Sequence, residues 1–308
     1  MRVLVTCPPM LRMIDEFRPI FADRGAELVA PDVVQTLTEE QLIELLPTFD
    51  GWISGDDPAT ERVLTAGVAG RLRGLVKWGV GVDNVDFEAC RKLGLQVAHT
   101  PGVFGREVAD IAMGYVIGLA RETFRIDREI REKKTWPKPS GISLEGKVVA
   151  LVGFGDIGRA TARRLLASDM IVHAYDPGAP ETPDLEVTRL AWPERLEEAD
   201  FIVFTCPLNE ATRGMFNADT LNLVKPGVRL VNVGRGPVVV TDALIEGLRD
   251  GRIHSAALDV VEVEPLAPDS PLRDFDQCIF GSHNASNTAD AVRRVSHKAI
   301  DLLFGFLH

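Results

Sequence analysis

"KVVALVGFGDIGRATARRLLASDMIVHAYD", residues 147–176, is the stretch that decides the fold. An apolar run, Val148–Val152, leads straight into Gly153-Phe-Gly155-Asp156-Ile157-Gly158. A helical pattern leaves the turn with Ala160, Ala162, Leu165 and Leu166 at packing positions, and a second apolar run ends on Asp176. A GxGxxG string alone is weak evidence, but strand, turn, helix, strand and acid in that order are specific. Gly153 permits the tight turn, Gly155 lets backbone approach a pyrophosphate, and Gly158 allows helix to pack closely on strand. The helix N-terminus attracts the phosphates. Asp176 is placed to accept hydrogen bonds from the adenosine ribose hydroxyls and to repel a 2′-phosphate, which favours NAD over NADP.

Working outward, short apolar runs alternate with helical patterns along most of the chain. Candidate strands lie at Arg2–Thr6, Glu27–Ala30, Gly51–Ser54, Leu75–Trp78, Ile171–Tyr175, Phe201–Phe204, Arg229–Val233, Ser255–Leu258 and Cys278–Phe280. Apolar runs separated by helices imply parallel sheets covered on both faces, an α/β architecture. Thr38 with Gln41 reads as a capping box, and Asp57 before Pro58 as an N-cap with proline at the first helical position. That capping role is preferred over metal binding by Asp56 and Asp57. After Thr100-Pro-Gly102, the residues Val108, Ile111, Ala112, Tyr115, Val116 and Leu119 keep a helical period, and the pattern runs on to about Lys134. The following TWPKPSGIS must be loop.

The 308 residues suffice for about two domains. A hydrophobic content of 45 % and a charged content of 26 % fit an ordinary globular protein. With a net charge of −11 and no Lys/Arg-rich run, neither nucleic acid nor an anionic membrane is an expected partner. No apolar stretch is long enough for a membrane span. Cys7, Cys90, Cys206 and Cys278 are scattered without a CxxC pair, which suggests reduced thiols in the cytoplasm and no zinc site.

Three polar side chains follow late strands. Arg235 stands between two glycines after LVNV, Glu264 follows SAALDVVEV, and His283 follows CIFGS. Ligands of open α/β sheets bind beyond the carboxyl ends of strands. There Arg235 can hold a carboxylate bidentately, His283 can pass a proton to a carbonyl oxygen, and Glu264 can orient the imidazole and raise its pKa from about 6.5. Each has a plainer reading: a structural ion pair of Arg235 with Asp259, a surface charge at Glu264, a hydrogen-bonded core histidine at 283. Trp78-Gly79-Val80-Gly81, at a strand end before a helix starting near Val85, is either a backbone nest for a carboxylate or a tight turn.

Taken together, "GVGVDNVD", "TPGVFGREVAD", "VGFGDIG", "VNVGRGPVV", "ALDVVEVEP" and "SHNASNT" resemble, in order and spacing, the D-isomer-specific 2-hydroxyacid dehydrogenases. The resemblance covers nearly the whole chain. It implies two Rossmann-like, doubly wound parallel-sheet domains: a flavodoxin-like substrate domain of 1–98 plus 285–308, and a coenzyme domain of 99–284 inserted into it. It implies catalysis by Arg235, Glu264 and His283, with the substrate held at Trp78, Gly79, Val80, Gly81, Arg235 and His283. NAD contacts are implied at Gly153, Gly155, Asp156, Ile157, Gly158, Asp176, Thr205, Cys206, Pro207, Val233 and Asp259. The glycines around Arg235 are read as clearing room for substrate and nicotinamide. A homodimer through the long helix after residue 105 is also implied.

Asp110-Ile111 and Phe104 depart from residues common in that family, so substrate identity stays open. The chain ends at His308 without the regulatory domain of longer phosphoglycerate dehydrogenases, so serine feedback is not expected. The primary expectation is an NAD-dependent oxidoreductase acting on a small D-2-hydroxy acid and its 2-oxo acid, including a phosphorylated or phosphono three-carbon acid such as 3-phosphoglycerate or phosphonopyruvate. For such an acid, Lys77, Arg106 and Lys138 would offer a second anion site, unless they are solvated surface cations. The alternatives are a glyoxylate/hydroxypyruvate reductase and, from another class, an NAD-sensing binding protein on the same scaffold. Formate dehydrogenase is disfavoured by Glu264, where that enzyme resembles this family with Gln.

Overall fold

In the computed structural model, which describes residues 1–179, 182 and 184–308, the chain divides into two compact units. One comprises Met1–Val103 with Asn287–His308, the other Phe104–Ser286. The divisions fall a few residues beyond 98/99 and 284/285. The chain past residue 98 still belongs to the first sheet, to which Thr100 is tied by its N–H on the Gly79 carbonyl at 3.2 Å.

The first unit carries β1 (Arg2–Val5), β2 (Glu27–Val29), β3 (Gly51–Ser54), β4 (Gly74–Lys77) and β5 (Gln96–His99), all parallel in the order β2-β1-β3-β4-β5. β3 and β4 are buried along their whole length, as parallel strands covered on both faces must be. One covering element is the helix Ala289–Leu307, whose Leu303 side chain lies 3.0 Å from where a β-carbon on Gly51 would stand. β5, not separated from its surroundings in the sequence reading, is an edge strand with an exposed Gln96 and only partly buried neighbours. The strand order reverses between β1 and β3.

The second unit carries β6 (Val148–Val152), β7 (Ile171–Tyr175), β8 (Thr188–Arg189), β9 (Phe201–Phe204), β10 (Val228–Asn232), β11 (Ile253–Leu258) and β12 (Cys278–Phe280). All are parallel, in the order β12-β11-β10-β9-β6-β7-β8. The order reverses between β6 and β9, and the glycine turn follows β6 directly. β8, absent from the sequence reading, is two exposed residues long and carries no apolar signal.

Two local expectations are corrected. Asp57 caps no helix: the helix Glu61–Ala69 is capped by Thr60, whose hydroxyl accepts from the Val63 N–H. Asp57 is fully buried instead, accepting from the Thr6 hydroxyl and from the Leu37 and Gly55 N–H groups. The long helix does not run to Lys134. It spans Gly105–Arg121 and breaks at Glu122, which is left-handed at φ 52°. A second helix, Thr123–Arg128, and a π-turn, Glu129–Lys133, follow. The break folds the Phe124 ring back onto Gly118, where a β-carbon would meet it at 2.7 Å. The Thr38–Gln41 capping box forms in both directions, at 3.3 and 2.9 Å. The stretch after Lys134 is irregular up to the turn before β6. No helix of the described residues is long and apolar enough to cross a membrane.

Candidate active site

In the second unit, β6 runs straight into Gly153, whose φ of 92° suits glycine alone and whose N–H donates to the Tyr175 carbonyl at 2.9 Å. A β-carbon there would lie 2.6 Å from the Cys206 nitrogen. The Thr205 hydroxyl fastens the turn from the other side, donating to the Val152 and Gly153 carbonyls at 3.1 and 2.9 Å. The helix Asp156–Leu166 starts immediately after Gly155, so its unpaired N–H groups and dipole face the turn. Asp176 is preset by backbone: Oδ2 accepts from the Phe154 N–H at 2.7 Å and Oδ1 from the Gly178 N–H at 2.9 Å.

A cleft of about 760 Å³ runs past Gly153, Asp176, Arg189, Trp192, Cys206 and Pro207. Its depth, the bare glycine turn and the acid at the end of β7 fit a dinucleotide. Of the expected cofactor residues, Gly153, Asp176, Cys206 and Pro207 line it, and Gly155, Asp156, Ile157, Gly158, Thr205, Val233 and Asp259 lie outside its lining. Arg189 and Trp192 were not found from sequence, because β8 gave no signal; the Arg189 guanidinium stands 5.3 Å from the Phe154 ring centroid. The Asp156 carboxylate is turned onto Gly105 at the start of the Gly105–Arg121 helix, where the helix dipole favours it.

Arg235, Glu264 and His283 follow β10, β11 and β12, three adjacent parallel strands, and so lie along one edge of one sheet. The turn bearing Arg235 is clamped by Asn232, which accepts from the Gly234 N–H and donates to the Arg235 carbonyl, both at 3.0 Å. The flanking glycines have a backbone reason of their own. A β-carbon on Gly236 would overlap the Val261 carbonyl, and one on Gly234 would lie 2.7 Å from the Cys206 carbonyl.

His283 and Glu264 meet: the imidazole Nδ1 stands 2.8 Å from Glu264 Oε2, each side chain about a quarter exposed. Glu264 Oε1 accepts from the Val261 N–H at 3.2 Å. The histidine sits in left-handed backbone at φ 55°, an unfavourable conformation held in place by its surroundings. Asp259 does much of the holding. Its carbonyl accepts from the His283 N–H at 2.7 Å, and its carboxylate accepts from the Asn284 and Ala285 N–H groups at 3.2 and 3.0 Å. Burial pushes the Asp259 carboxyl up. Tyr115, read from sequence only as a core position, has its hydroxyl 2.7 Å from where a β-carbon on Gly281 would stand, with Asp259 Oδ1 closer still. Burial, with the Asp259 charge adding, pushes the phenol up to about 12.

In the first unit, the Trp78–Gly81 nest is smaller than expected. The Trp78 N–H donates to the Ser54 carbonyl at 2.9 Å and the Gly79 N–H to the Thr100 hydroxyl at 2.8 Å. Val80 and Gly81 are left as the amides not engaged among the described residues. Trp78 is itself pinned, its indole N–H donating to the Ser296 hydroxyl at 3.0 Å. Lys77 is no open anion site: its side chain is 4 % exposed and its ammonium contacts Asp56 Oδ1 and the Trp78 carbonyl, each at 3.0 Å. The helix beyond starts at Phe87, capped by Asp86. All four cysteines are free and buried.

The chain is similar to known proteins of one family. Residues 113–285 match the NAD binding domain of the D-isomer specific 2-hydroxyacid dehydrogenases. A hydroxypyruvate reductase of Thermotoga maritima is 34 % identical over 87 % of this chain and 88 % of its own. A glyoxylate reductase of Thermofilum pendens is 37 % identical over 78 % of this chain and 73 % of its own. The crystal structure of the TT0316 protein from Thermus thermophilus superposes with a TM-score of 0.87 at 30 % identity, covering 100 % of this chain and 97 % of that one.

Proposed function

The chain belongs to the D-isomer specific 2-hydroxyacid dehydrogenase family and is an NAD-dependent oxidoreductase, and from that premise we propose that it interconverts a small 2-oxo acid and the D-2-hydroxy acid. When bound, NADH supplies the hydride that reduces the carbonyl carbon. Arg235 holds the substrate carboxylate by a planar, charge-assisted pair. The Val80 and Gly81 amides of the first unit are proposed as a second carboxylate holder. His283 donates the proton to the carbonyl oxygen from Nε2, because Nδ1 is engaged by Glu264. The adjacent carboxylate favours the imidazolium, the form that can donate. In the oxidation direction the same nitrogen takes the proton back.

The Glu264–His283 contact at the end of the cofactor-binding sheet is the observation that carries this reading. Glyoxylate and hydroxypyruvate head the substrates to be tried, as the relatives' names suggest. NADH oxidation by the purified protein over a panel of 2-oxo acids tests it: turnover of at least one is expected, and none would refute the proposal. A cytoplasmic homodimer completes the reading. The contact is assigned to the Gly105–Arg121 helix and the segment after it, which expose Ile117, Phe124 and Trp136 at 42, 46 and 77 %. Light scattering reporting a monomer would reject that assignment.

A further inference from the structure

At the Asp176 end of the second unit's cleft, one residue joins three charged side chains. Phe154, in the glycine turn, gives its N–H to Asp176 Oδ2 at 2.7 Å, and its carbonyl accepts from Arg159 Nη1 at 3.2 Å. Its buried ring lies under the Arg189 guanidinium, 5.3 Å from the centroid. Arg189 also donates to the Ala179 carbonyl at 2.9 Å, while Asp176 Oδ1 accepts from the Gly178 N–H at 2.9 Å. Asp176 and Arg189 therefore span the same gap, from the glycine turn to the loop after β7. Asp176 turns both oxygens to amides rather than to the guanidinium.

The edge strand β8 puts Arg189 there. Its register with β7 sets Arg189 opposite Ala174, two residues before Asp176. Both side chains line the cleft, together with Glu194, whose Oε2 is turned to the Ala191 N–H at 3.4 Å. A ribose whose hydroxyls donate to Asp176 places its 2′ substituent in this gap. A hydroxyl there suits the carboxylate. A phosphate meets one negative charge and two guanidiniums, of which Arg189 is an exposed planar fork able to take two oxygens. The carboxylate is the nearer group, because the ribose is bound to it, and the guanidiniums lie behind, on the ring and carbonyl of Phe154. Coulomb energy falls with distance, so repulsion prevails.

We propose that Arg189 is a specificity-determining residue for the coenzyme, a phosphate-binding group already in place that the Asp176 carboxylate alone holds out of use. Removing that one charge while keeping its hydrogen-bond acceptor should turn this end from excluding a 2′-phosphate to binding one, with no new cation introduced. The plainer role for Arg189 is to clasp the loop after β7 through the Ala179 carbonyl. Charge separates the two roles, since lysine keeps it and methionine does not. The inference rests on the dinucleotide lying in this cleft and is independent of which 2-oxo acid is reduced.

The experiment titrates the full chain with NADH and NADPH by fluorescence, using ADP and 2′,5′-ADP as competitors that probe the adenosine end alone. The native protein is expected to favour NADH. Asp176→Asn, or Asp176→Ser should that variant fold poorly, should raise the relative affinity for NADPH by about 10- to 100-fold. The affinity for 2′,5′-ADP relative to ADP should move alike. In the Asp176→Asn background, Arg189→Met should remove most of that gain and Arg189→Lys keep the larger part of it. Equal native affinity for NADH and NADPH, a ratio unmoved by both Asp176 variants, or a gain that survives Arg189→Met overturns the inference. Equal losses in the methionine and lysine variants also overturn it, marking Arg189 as a loop clasp only. These outcomes leave the proposed reduction standing, because the 2-oxo acid panel tests it separately. A native chain that binds neither nucleotide overturns the coenzyme cleft, and the inference with it.

Discussion

Both units end a doubly wound parallel sheet at a switch point, yet they handle charge there in opposite ways. In the second unit the glycine turn offers bare backbone at Gly153, and Asp176, one of two acids lining the cleft with Glu194, is preset by two amides. In the first unit the strand ends are internally satisfied. Asp57 is closed off by a hydroxyl and two amides, Lys77 is matched by Asp56, and two of the four nest amides are engaged by Ser54 and Thr100. Shared topology fixes where a ligand can lie. What the strand-end loops do with their own polar groups decides which ligand that end will accept.

The largest effect expected from breaking this contrast is at His283. Its replacement by Ala should lower kcat by about 10²–10⁴ with NADH binding intact, if the imidazole is the proton donor. Unchanged turnover at saturating substrate would remove it from that role. Gly153→Ala attacks that bare backbone directly. The added carbon would sit 2.6 Å from the Cys206 nitrogen on a residue at φ 92°, so a loss of about 1–3 kcal/mol in stability is expected, with weakened NADH binding. Thermal melts and a fluorescence titration of NADH check both. A variant that melts and binds like the native protein would mean the turn is less confined than its contacts indicate.

Gly281→Ala sharpens the comparison within the second unit, because it separates holding a residue from doing chemistry. The new methyl would push on the Asp259 carboxylate and the Tyr115 hydroxyl, which stand behind the His283 loop. A roughly tenfold fall in kcat is expected, since small misplacements of a reacting group are costly, together with a displaced pH profile. NADH affinity should hold. Equal losses in kcat and in NADH affinity would instead indicate general loosening of the unit.

How far the sequence could be read follows from how far apart the interacting partners lie. The dinucleotide turn was legible because strand, glycines, helix and acid fall within residues 147–176 and depend on one another locally. Arg235, Glu264 and His283 were legible as residues following strands. The left-handed backbone of His283 and its stitching to Asp259 were not, because those bonds cross from β12 to β11. Asp57 was misread for the same reason. Asp-Pro before a helix suggests a cap, but the donors that claim this carboxylate come from Thr6 and Leu37, remote in sequence. The long helix was overextended because charged residues after Glu122 keep a helical composition. The break lies at left-handed Glu122 and brings Phe124 against Gly118, a shape effect that periodicity does not encode.

The smallest effect concerns the acid that the first unit closes off. Burial, with the neighbouring Asp56 charge adding, raises the Asp57 carboxyl above its ordinary value of 3.8, against the three hydrogen bonds that favour its ionised form. The native state therefore binds this proton at pH values where the unfolded chain has already lost it. Its contribution to stability is fully present below the ordinary value and is lost as pH rises through the raised native one. Most native carboxylates with lowered values, such as Asp276 beside Lys133, work in the other direction. Asp57→Asn removes the titration but also changes the hydrogen bonding, so the slope of unfolding free energy against pH is the informative quantity, not its level. As pH rises above about 4, the native protein should lose stability relative to the variant until the raised native value is passed, by no more than about 1.4 kcal/mol per pH unit. Denaturant titrations over that range giving parallel curves would show that Asp57 ionises as freely in the fold as outside it. The first unit's strand end would then be no more closed to charge than the second's.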